Sequence, residues 1–179
     1  RGDLGNALST GQPVREELLV RLPASLELVL ASLLFAVVVA VPLGIAAARR
    51  PNSWVDHTCR LVTTAGVSLP TFFTGLLLAY VFYYVLGWAP SPIGRLDPYL
   101  TAPPTVTGLY TVDSLIAGEP RLFLASAKQM ILPVLTLGIF VLAPLARMTR
   151  AAMIAVLSAD FVRTARASGL SSTTVLVRY

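Results

Sequence analysis

Three long stretches without a charged residue constrain this chain more than any other feature of its sequence. Residues 28–48 hold 21 uncharged residues, residues 61–94 hold 34, and residues 129–146 hold 18. A helix of about 20 apolar residues is long enough to cross the hydrocarbon core of a bilayer. The chain is therefore predicted to be all-α, a polytopic bundle of transmembrane helices with three spans.

The composition agrees with a membrane location and excludes several kinds of protein. Of the 179 residues, 55% are hydrophobic and 13% are charged, whereas a soluble domain carries about 45–50% and about 25%. A disordered segment, an ordinary soluble enzyme and a nucleic-acid-binding domain are thereby excluded. The chain has one cysteine and one histidine, too few for an intramolecular disulfide or for a metal cluster of histidine and cysteine ligands. Its single lysine, Lys128, is not preceded by glycine, so the phosphate-binding loop is missing and no cofactor is expected.

Prolines and charges divide the chain into predicted segments. Residues 1–22 are expected to form an external lead-in with a short amphipathic helix, because the apolar residues there have helical spacing. Residues 88–121 hold six of the 13 prolines, which predicts a long loop outside the bilayer. The three spans are placed at about residues 24–48, 62–86 and 123–146.

The placement of arginines predicts which loops face the cytoplasm. If residues 49–60 and 147–179 share one side, that side carries eight arginines and two aspartates, a net charge of +6. The other side then carries −1 of the total of +5. Because positive residues are retained in the cytoplasm, these two segments are predicted to be cytoplasmic, and residues 1–22 and 88–121 external. The basic balance thus reflects topology, and nucleic acid is not an expected partner.

Catalytic residues are not expected. His57 and Cys59 lie close together in one short loop, but the chain offers no second histidine and no oxyanion hole there. The segment around Ser68 lacks the second glycine of a G-x-S-x-G nucleophile elbow. An interfacial turn is the preferred interpretation of the first motif, and an intramembrane enzyme is the alternative from another class of function.

Polar and small residues recur on one predicted helical face in the second span. Thr64, Ser68, Thr71 and Gly75 follow each other at helical spacing. One hypothesis is that Thr64, Ser68 and Thr71 line a translocation path. The other, which we favour, is a seam of small residues for close helix packing, a common arrangement in membranes.

Two charges, Glu27 and Lys128, lie within reach of the spans. Charges inside a membrane are candidates for function by default. Both residues lie near the predicted outer ends of their spans, however, so anchoring at the interface is the preferred interpretation.

The tail after Arg147 has the pattern of a helix, a glycine turn and a second short helix. Apolar residues at helical spacing continue to Ala165, and Gly169 follows where the left-handed conformation of a C-terminal cap is expected. Ser171 could cap the next helix, with Leu170 and Val175 around it. Such an element could press into a groove of a soluble partner, or it could be a plain amphipathic surface helix.

The segment D-F-V-R-T-A-R-A-S-G-L-S, residues 160–171, closely resembles the cytoplasmic EAA motif of permease subunits of bacterial ABC importers. Within that family the peptide- and nickel-importer branch is the most similar. Arg163, Thr164 and Ala165 occupy the E-A-A places, and Gly169 the defining glycine. The resemblance implies a coupling helix after this glycine, and it implies that these residues contact an ATPase subunit together with Leu170, Val175 and Leu176.

The resemblance extends over the whole chain. Further matching segments include I-L-P-V-L-T from Ile131, R-M-T-R from Arg147, G-D-L-G from Gly2 and G-W-A-P from Gly87, and they resemble the B-type subunit of the same branch. Residues 23–179 are accordingly interpreted as an incomplete type 1 permease domain. Comparison with the family implies that the first span, most of the coupling helix and the last two spans are missing.

The family also implies a function and a set of partners. The chain would be the permease of an ATP-driven importer in the bacterial plasma membrane, moving di- or oligopeptides by alternating access. Nickel or another small solute is the alternative cargo. The expected partners are the lipid bilayer, a C-type second permease, two ATP-binding subunits and an external substrate-binding protein. The chain itself would not be an enzyme, since hydrolysis of ATP belongs to the ATP-binding subunits.

Overall fold

The computed structural model describes residues 4–169 and 174, and its regular elements within that part of the chain are all helical. The prediction of an all-α fold is therefore confirmed for the described residues. The helices are α1 (Val14–Arg49), α2 (Trp54–Ser68), α3 (Thr71–Leu78), a π-helical segment (Ala79–Val85), α4 (Tyr110–Ile116), α5 (Pro120–Leu157) and α6 (Asp160–Ala167).

Contacts group the chain into two compact units. The first unit comprises Arg1–Phe35 and Pro70–Gly138, and the second comprises Ala36–Leu69 and Ile139–Tyr179. The long helices α1 and α5 each contribute one part to each unit. Each candidate site described below lies within a single unit.

The two long helices are suited to cross a membrane. α1 has 36 residues and α5 has 38, and both contain windows with the apolar character of a membrane span. Pro42 lies inside α1, and Pro133 and Pro144 lie inside α5 without ending the helix. In a membrane protein, neighbouring helices and side chains can satisfy the carbonyls that a proline leaves free. α1 also includes the residues predicted to form a separate short helix near the N-terminus.

The second predicted span is interrupted. A single helix was expected over residues 62–86, but α2 ends at Ser68 and α3 begins at Thr71. Pro70 lacks an N–H group and disfavours helical geometry in the residue before it, and Leu69 is extended, with a ψ of 132°. The described residues therefore hold two candidate spans, or three if α2, α3 and the π-helical segment together make one.

The tail also differs from the prediction of one helix over residues 147–168. α5 ends at Leu157, and α6 begins at Asp160 after two intervening residues. Gly169 follows α6 with a φ of 82°, so the predicted left-handed glycine is confirmed. In the predicted external loop, α4 is the one helix within residues 88–119.

Glycines allow close helix packing in each unit. In the second unit, a Cβ on Gly44 would lie 2.8 Å from Thr149 Cβ and 2.9 Å from the Ala146 carbonyl oxygen. A Cβ on Gly66 would lie 3.1 Å from Ala143 Cβ. Both α1 and α2 thus pack on α5 where a side chain larger than hydrogen has little room. Close approach through small residues is how membrane helices gain packing contacts.

Candidate functional site

α6 presents the residues that occupy the E-A-A places. Asp160 lies in its first turn, where a negative charge is favourable near the helix N-terminus. Val162 and Ala165 are buried and form a small apolar cluster, whereas Arg163 and Thr164 are exposed. The amphipathic helix therefore packs by Ala165 and leaves Arg163 and Thr164 accessible to a partner.

The polar contacts within α6 are local and weak. Arg163 Nη1 lies 3.7 Å from Asp160 Oδ1, and both side chains are largely exposed, so the pair adds little stability. Thr164 Oγ1 donates to the Asp160 carbonyl oxygen at 3.1 Å. These interactions do not hold Arg163 in place against a competing partner. Leu170, Val175 and Leu176, the rest of the predicted coupling surface, lie outside the described residues.

Gly169 is required by its backbone conformation rather than by lack of space. A Cβ at this position would meet nothing within 4 Å, but φ is 82°. Residues with a side chain rarely adopt this region, whereas glycine enters it readily. The glycine therefore sets the direction in which the chain leaves α6.

Asp56 and Arg150 form a buried, bidentate ion pair in the second unit. Arg150 Nε lies 2.5 Å from Asp56 Oδ1, and Arg150 Nη2 lies 2.9 Å from Oδ2. The Asp56 side chain is fully buried. A bidentate arginine–carboxylate pair is stronger and more directional than a single contact. It joins the first turn of α2 to α5 across 94 residues of sequence.

The turn before α2 completes the surroundings of Asp56. Ser53 is the N-cap, and its Oγ accepts a hydrogen bond from the Asp56 N–H. Asp56 Oδ2 accepts one from the Asn52 N–H at 2.9 Å, and Asn52 has a φ of 62°. Arg60 approaches the same oxygen at 3.6 Å from the exposed side. The spacing of Ser53 and Asp56 is that of a capping pattern, a signal that the sequence interpretation missed.

His57 and Cys59 do not form a catalytic arrangement. The His57 side chain is exposed, and its Nδ1 lies 3.1 Å from Arg60 Nη2. Cys59 is 1% exposed, on the buried side of the same helix. A histidine must be within hydrogen-bond reach of a thiol to activate it. These positions instead suit the preferred interpretation of a turn that leads into a packed helix.

Thr64, Ser68 and Thr71 do not share one helical face, because the helix is interrupted between Ser68 and Thr71. Thr64 and Ser68 are exposed, and Ser68 Oγ donates to the Thr64 carbonyl oxygen at 2.8 Å. Gly75, in α3, approaches Thr136 closely, with 3.2 Å between a Cβ built on Gly75 and Thr136 Cγ2. The packing hypothesis thus describes Gly75, and a role of the other three in a translocation path stays a prediction.

Within the first unit, Glu27 connects α1 to the first residues of α4 and to Arg95 in the loop before it. Its Oε1 accepts hydrogen bonds from the N–H (2.7 Å) and the hydroxyl (2.5 Å) of Thr111. Its Oε2 accepts from the Tyr110 N–H at 3.2 Å and from Arg95 Nη2 at 2.6 Å. This arrangement goes beyond the predicted interfacial anchor, because Glu27 fixes the start of α4.

Arg95 extends this network over the loop. Its Nη2 donates to the Gly108 carbonyl oxygen at 2.9 Å, and its guanidinium carbon lies 3.8 Å from the centre of the Tyr110 ring. A cation above an aromatic face is attracted by the negative charge density of the ring. Arg95 therefore holds together Glu27, Tyr110 and the backbone at Gly108.

Asp113 organises the residues just before α4. Its carboxylate accepts hydrogen bonds from the N–H groups of Val106 (3.2 Å), Thr107 (2.8 Å) and Gly108 (2.9 Å), and from the Thr107 hydroxyl (2.7 Å). Burial raises the pKa of Asp113, but the hydrogen bonds from Thr107, Gly108 and Val106 outweigh it and keep the pKa below its usual value.

Two cavities flank Glu27. The larger, of about 440 Å³, has mainly apolar walls from α1, α4 and α5, including Leu30, Val112 and Ile131. The smaller, of about 220 Å³, lies beside Arg95 and Gln129. The Gln129 side-chain amide donates to the carbonyl oxygens of Ser91 and Ile93. Together with Glu27, this amide attaches the first part of the loop to the helices.

Comparison with known proteins assigns the chain to a family. It is 43% identical over 178 residues to the probable D,D-dipeptide transport system permease protein DdpB of Escherichia coli K12, covering 99% of this chain and 52% of that protein. It is 44% identical to the di/tripeptide transport system permease protein DppB of Pseudomonas aeruginosa, covering 98% and 52%. It is 38% identical to the dipeptide transport system permease protein DppB of Alkalihalophilus pseudofirmus, covering 99% and 53%.

The chain thus spans about half the length of these relatives. Residues 40–179, which include α2 to α6, match the sequence model of one family. The same residues hold the Asp56–Arg150 pair, Gly169 and the E-A-A places. The chain belongs to the family of binding-protein-dependent transport system inner membrane components.

Proposed function

We propose that this chain is part of the permease subunit of an ATP-driven importer that moves di- or oligopeptides across the bacterial plasma membrane. The observation that carries the proposal is the helix–glycine element at the end of α5. There α6 leaves Arg163 and Thr164 exposed, and Gly169 takes a left-handed conformation. A membrane helix that continues into an exposed, directed element is suited to receive force from a soluble partner.

Peptides are the proposed cargo because three relatives at 38–44% identity are named as permeases for dipeptides, D,D-dipeptides or di/tripeptides. Nickel or another small solute is less well supported, since it rests only on a sequence signature that peptide and nickel permeases share. An intramembrane enzyme has less support still, because His57 is exposed and Cys59 is buried on the same helix.

The proposed assembly contains a C-type second permease, two ATP-binding subunits and an external substrate-binding protein. ATP binding would bring the ATP-binding subunits together, move the element after Gly169, and reorient the spans from one side of the membrane to the other. The chemistry of hydrolysis would belong to the ATP-binding subunits. Thr64, Ser68 and Thr71 are proposed to line part of the path, with Thr64 and Ser68 offering exposed hydroxyl-bearing side chains.

The proposed topology places residues 49–60 and 147–179 in the cytoplasm and residues 1–22 and 88–121 outside. The distribution of arginines supports it. It also puts the Asp56–Arg150 pair at the cytoplasmic side, and the Glu27 network at the external side of α1.

Crosslinking in the full-length permease would test the function. Thr164→Cys, on the exposed side of α6, should crosslink to an ATP-binding subunit in the assembled complex. Tyr99→Cys is the matched control, because Tyr99 is 96% exposed in the predicted external loop and should crosslink only to the external binding protein. Uptake of labelled dipeptide is measured in parallel. Adducts of Thr164→Cys with the binding protein alone would refute both the topology and the function.

A further inference from the structure

The Asp56–Arg150 pair is a polar connection between α2 and α5. It joins the first turn of α2 to α5, and within described residues 36–69 and 139–169 no other side-chain hydrogen bond joins these two helices. The remaining contacts between them are packing contacts, such as Gly66 against Ala143 and Ile139. Packing alone permits helices to slide, whereas a bidentate pair fixes distance and orientation.

Burial makes this connection difficult to break. The Asp56 carboxylate is fully buried and the Arg150 side chain is 24% exposed. Separating the two groups would leave a buried carboxylate with only the Asn52 N–H and the more distant, exposed Arg60 as partners, which is unfavourable. We therefore expect α2 and residues 139–157 of α5 to stay associated when other helices of the protein slide past each other.

The connection from Arg150 to α6 is also continuous. α5 runs without interruption from Arg150 to Leu157, a rise of about 11 Å. Ser158 N–H donates to the Ile154 carbonyl oxygen and Ala159 N–H to that of Val156. The N–H groups of Val162 and Arg163 donate to the Ala159 carbonyl oxygen. Ala159, in the junction, is thus joined by backbone hydrogen bonds to α5 through its N–H group and to α6 through its carbonyl oxygen.

We propose that Asp56 and Arg150 are positioning residues that make α2, residues 139–157 of α5 and α6 move as one body during the transport cycle. A displacement of α6 then reaches α2, which carries Thr64 and Ser68, through this ion pair. The inference rests on the proposed function, since it assigns the route by which ATP-driven motion would reach the proposed path.

Cys59 provides a reporter of this body that does not depend on transport. It is 1% exposed and lies one helical turn after Asp56. In a full-length complex in which Cys59 is the only cysteine of the permease, its modification by N-ethylmaleimide is timed without nucleotide and after trapping with ATP and vanadate. The two rates should agree within twofold. A tenfold faster reaction in the trapped state would show that the body opens, and would refute the proposal.

Variants separate a coupling role from a purely structural one. Asp56→Asn and Arg150→Lys each remove the bidentate pair, and should lower the peptide transported per ATP hydrolysed at least fivefold while ATPase activity per assembled complex is retained. Asp56→Asn should also increase Cys59 reactivity at least tenfold. Arg60→Gln is the matched control, because Arg60 contacts the same carboxylate from the exposed side at 3.6 Å, and it should behave as wild type.

A double variant addresses the case in which the single variants fold poorly. Asp56→Asn with Arg150→Gln leaves no buried charge, so the melting temperature should return toward that of wild type. If the amount of peptide transported per ATP hydrolysed stays low, the coupling role of the ion pair is supported. If that ratio recovers together with the melting temperature, the pair is only structural and the proposal fails. Wild-type complex that hydrolyses ATP without importing peptide would refute the proposed function instead, whatever the reactivity of Cys59.

Discussion

Glu27 and Thr111, 84 residues apart in sequence, are joined by two hydrogen bonds, in which the backbone N–H and the hydroxyl of Thr111 both donate to Glu27 Oε1. The carboxylate of a membrane helix thereby forms the cap of a helix that lies outside the spans. The start of α4 depends on α1 rather than on its own N-cap, since Leu109 offers no side-chain hydrogen bond there.

Glu27→Gln should release the start of α4. The amide keeps one acceptor oxygen but loses the charge that strengthens four hydrogen bonds, each worth about 1.5–3 kcal/mol when the acceptor is charged. A loss of about that size corresponds to a local opening that is ~10–100-fold more frequent. Hydrogen exchange at the amides of Tyr110 and Thr111 measures it. Glu119→Gln, at an exposed position near the same helix, is the control, and equal exchange in both variants would contradict the prediction.

Asp113 should give the loop before α4 a defined pH dependence. Because hydrogen bonds hold its folded pKa below the usual value, its stabilising contribution is complete above the unfolded pKa of about 3.9 and is lost as the pH falls through the lower folded pKa. Exchange protection at Thr107 and Gly108 should therefore persist at mildly acidic pH and fall only below about pH 4.

Asp113→Asn should remove this protection at neutral pH. The asparagine amide would direct N–H donors toward the backbone N–H groups that the carboxylate now accepts from. Asp97→Asn, on an exposed turn of the same loop, controls for the change of charge. Protection that is unchanged in Asp113→Asn, or lost already at pH 6, would be inconsistent with the hydrogen bonds described here.

The sequence allowed the end of α6 to be predicted but not the partners of the buried carboxylates. A glycine after a helical pattern is a local signal, and the φ of 82° at Gly169 confirms it. Glu27 and Asp56 pair with Arg95 and Arg150, which lie 68 and 94 residues away, and the chain offers several arginines that are equivalent by sequence alone. Their pairing is decided by how the helices pack.

The sequence alone also does not show which prolines interrupt a helix. Pro42, Pro133 and Pro144 lie inside long helices, whereas Pro70 separates two helices. Each occurs in an apolar stretch, so the local sequence gives no clear distinction. The three-dimensional surroundings determine whether a helix continues past its proline.

Gly169→Ala should uncouple transport with little effect on folding. The φ of 82° costs a residue with a Cβ on the order of 1 kcal/mol, and no atom lies within 4 Å to add a steric penalty. That cost is small for the bundle, but relief of the strain would redirect the chain after α6. Peptide uptake by the full-length complex should fall while the amount of permease in the membrane stays normal.

Gly118→Ala is the matched control for this prediction. Gly118 has a φ of 69°, and a Cβ there also meets nothing within 4 Å, but the residue lies in the predicted external loop. In the proposed topology, the same local strain is thus introduced on the other side of the membrane from Gly169. Equal loss of uptake in both variants would show that strain itself, and not the direction after α6, limits transport.

Gly44→Ala should destabilise the second unit. An added Cβ would lie 2.9 Å from the Ala146 carbonyl oxygen, a backbone atom that cannot rotate away, and overpacking of this kind costs about 1–3 kcal/mol. Gly75→Ala is the comparison, because its Cβ would meet only the Thr136 side chain, at 3.2 Å. The detergent melting temperature should fall clearly for Gly44→Ala and change little for Gly75→Ala. The reverse order would contradict the packing described for α1 and α5.

The topology is best tested at exposed positions. Cys59 is buried, so its failure to react would not show on which side of the membrane it lies. In a Cys59→Ser background, Tyr99→Cys should react with a membrane-impermeant maleimide in intact cells. His57→Cys, also at an exposed position, should react only after the cells are permeabilised. Labelling of His57→Cys in intact cells would overturn the orientation inferred from the arginines.

The π-helical segment Ala79–Val85, which continues directly from α3, allows that helix to gain or lose one residue without disturbing its neighbours. Its hydrogen bonds join residues five apart, as between the Leu86 N–H and the Val81 carbonyl oxygen, so each turn holds more residues than an α-helical turn. Loss of one residue here can be absorbed by a return to α-helical winding, whereas loss elsewhere would rotate every later side chain by about 100°. Single-residue insertions and deletions among related proteins should therefore concentrate between residues 79 and 85, beside the stacked rings of Tyr80 and Tyr84.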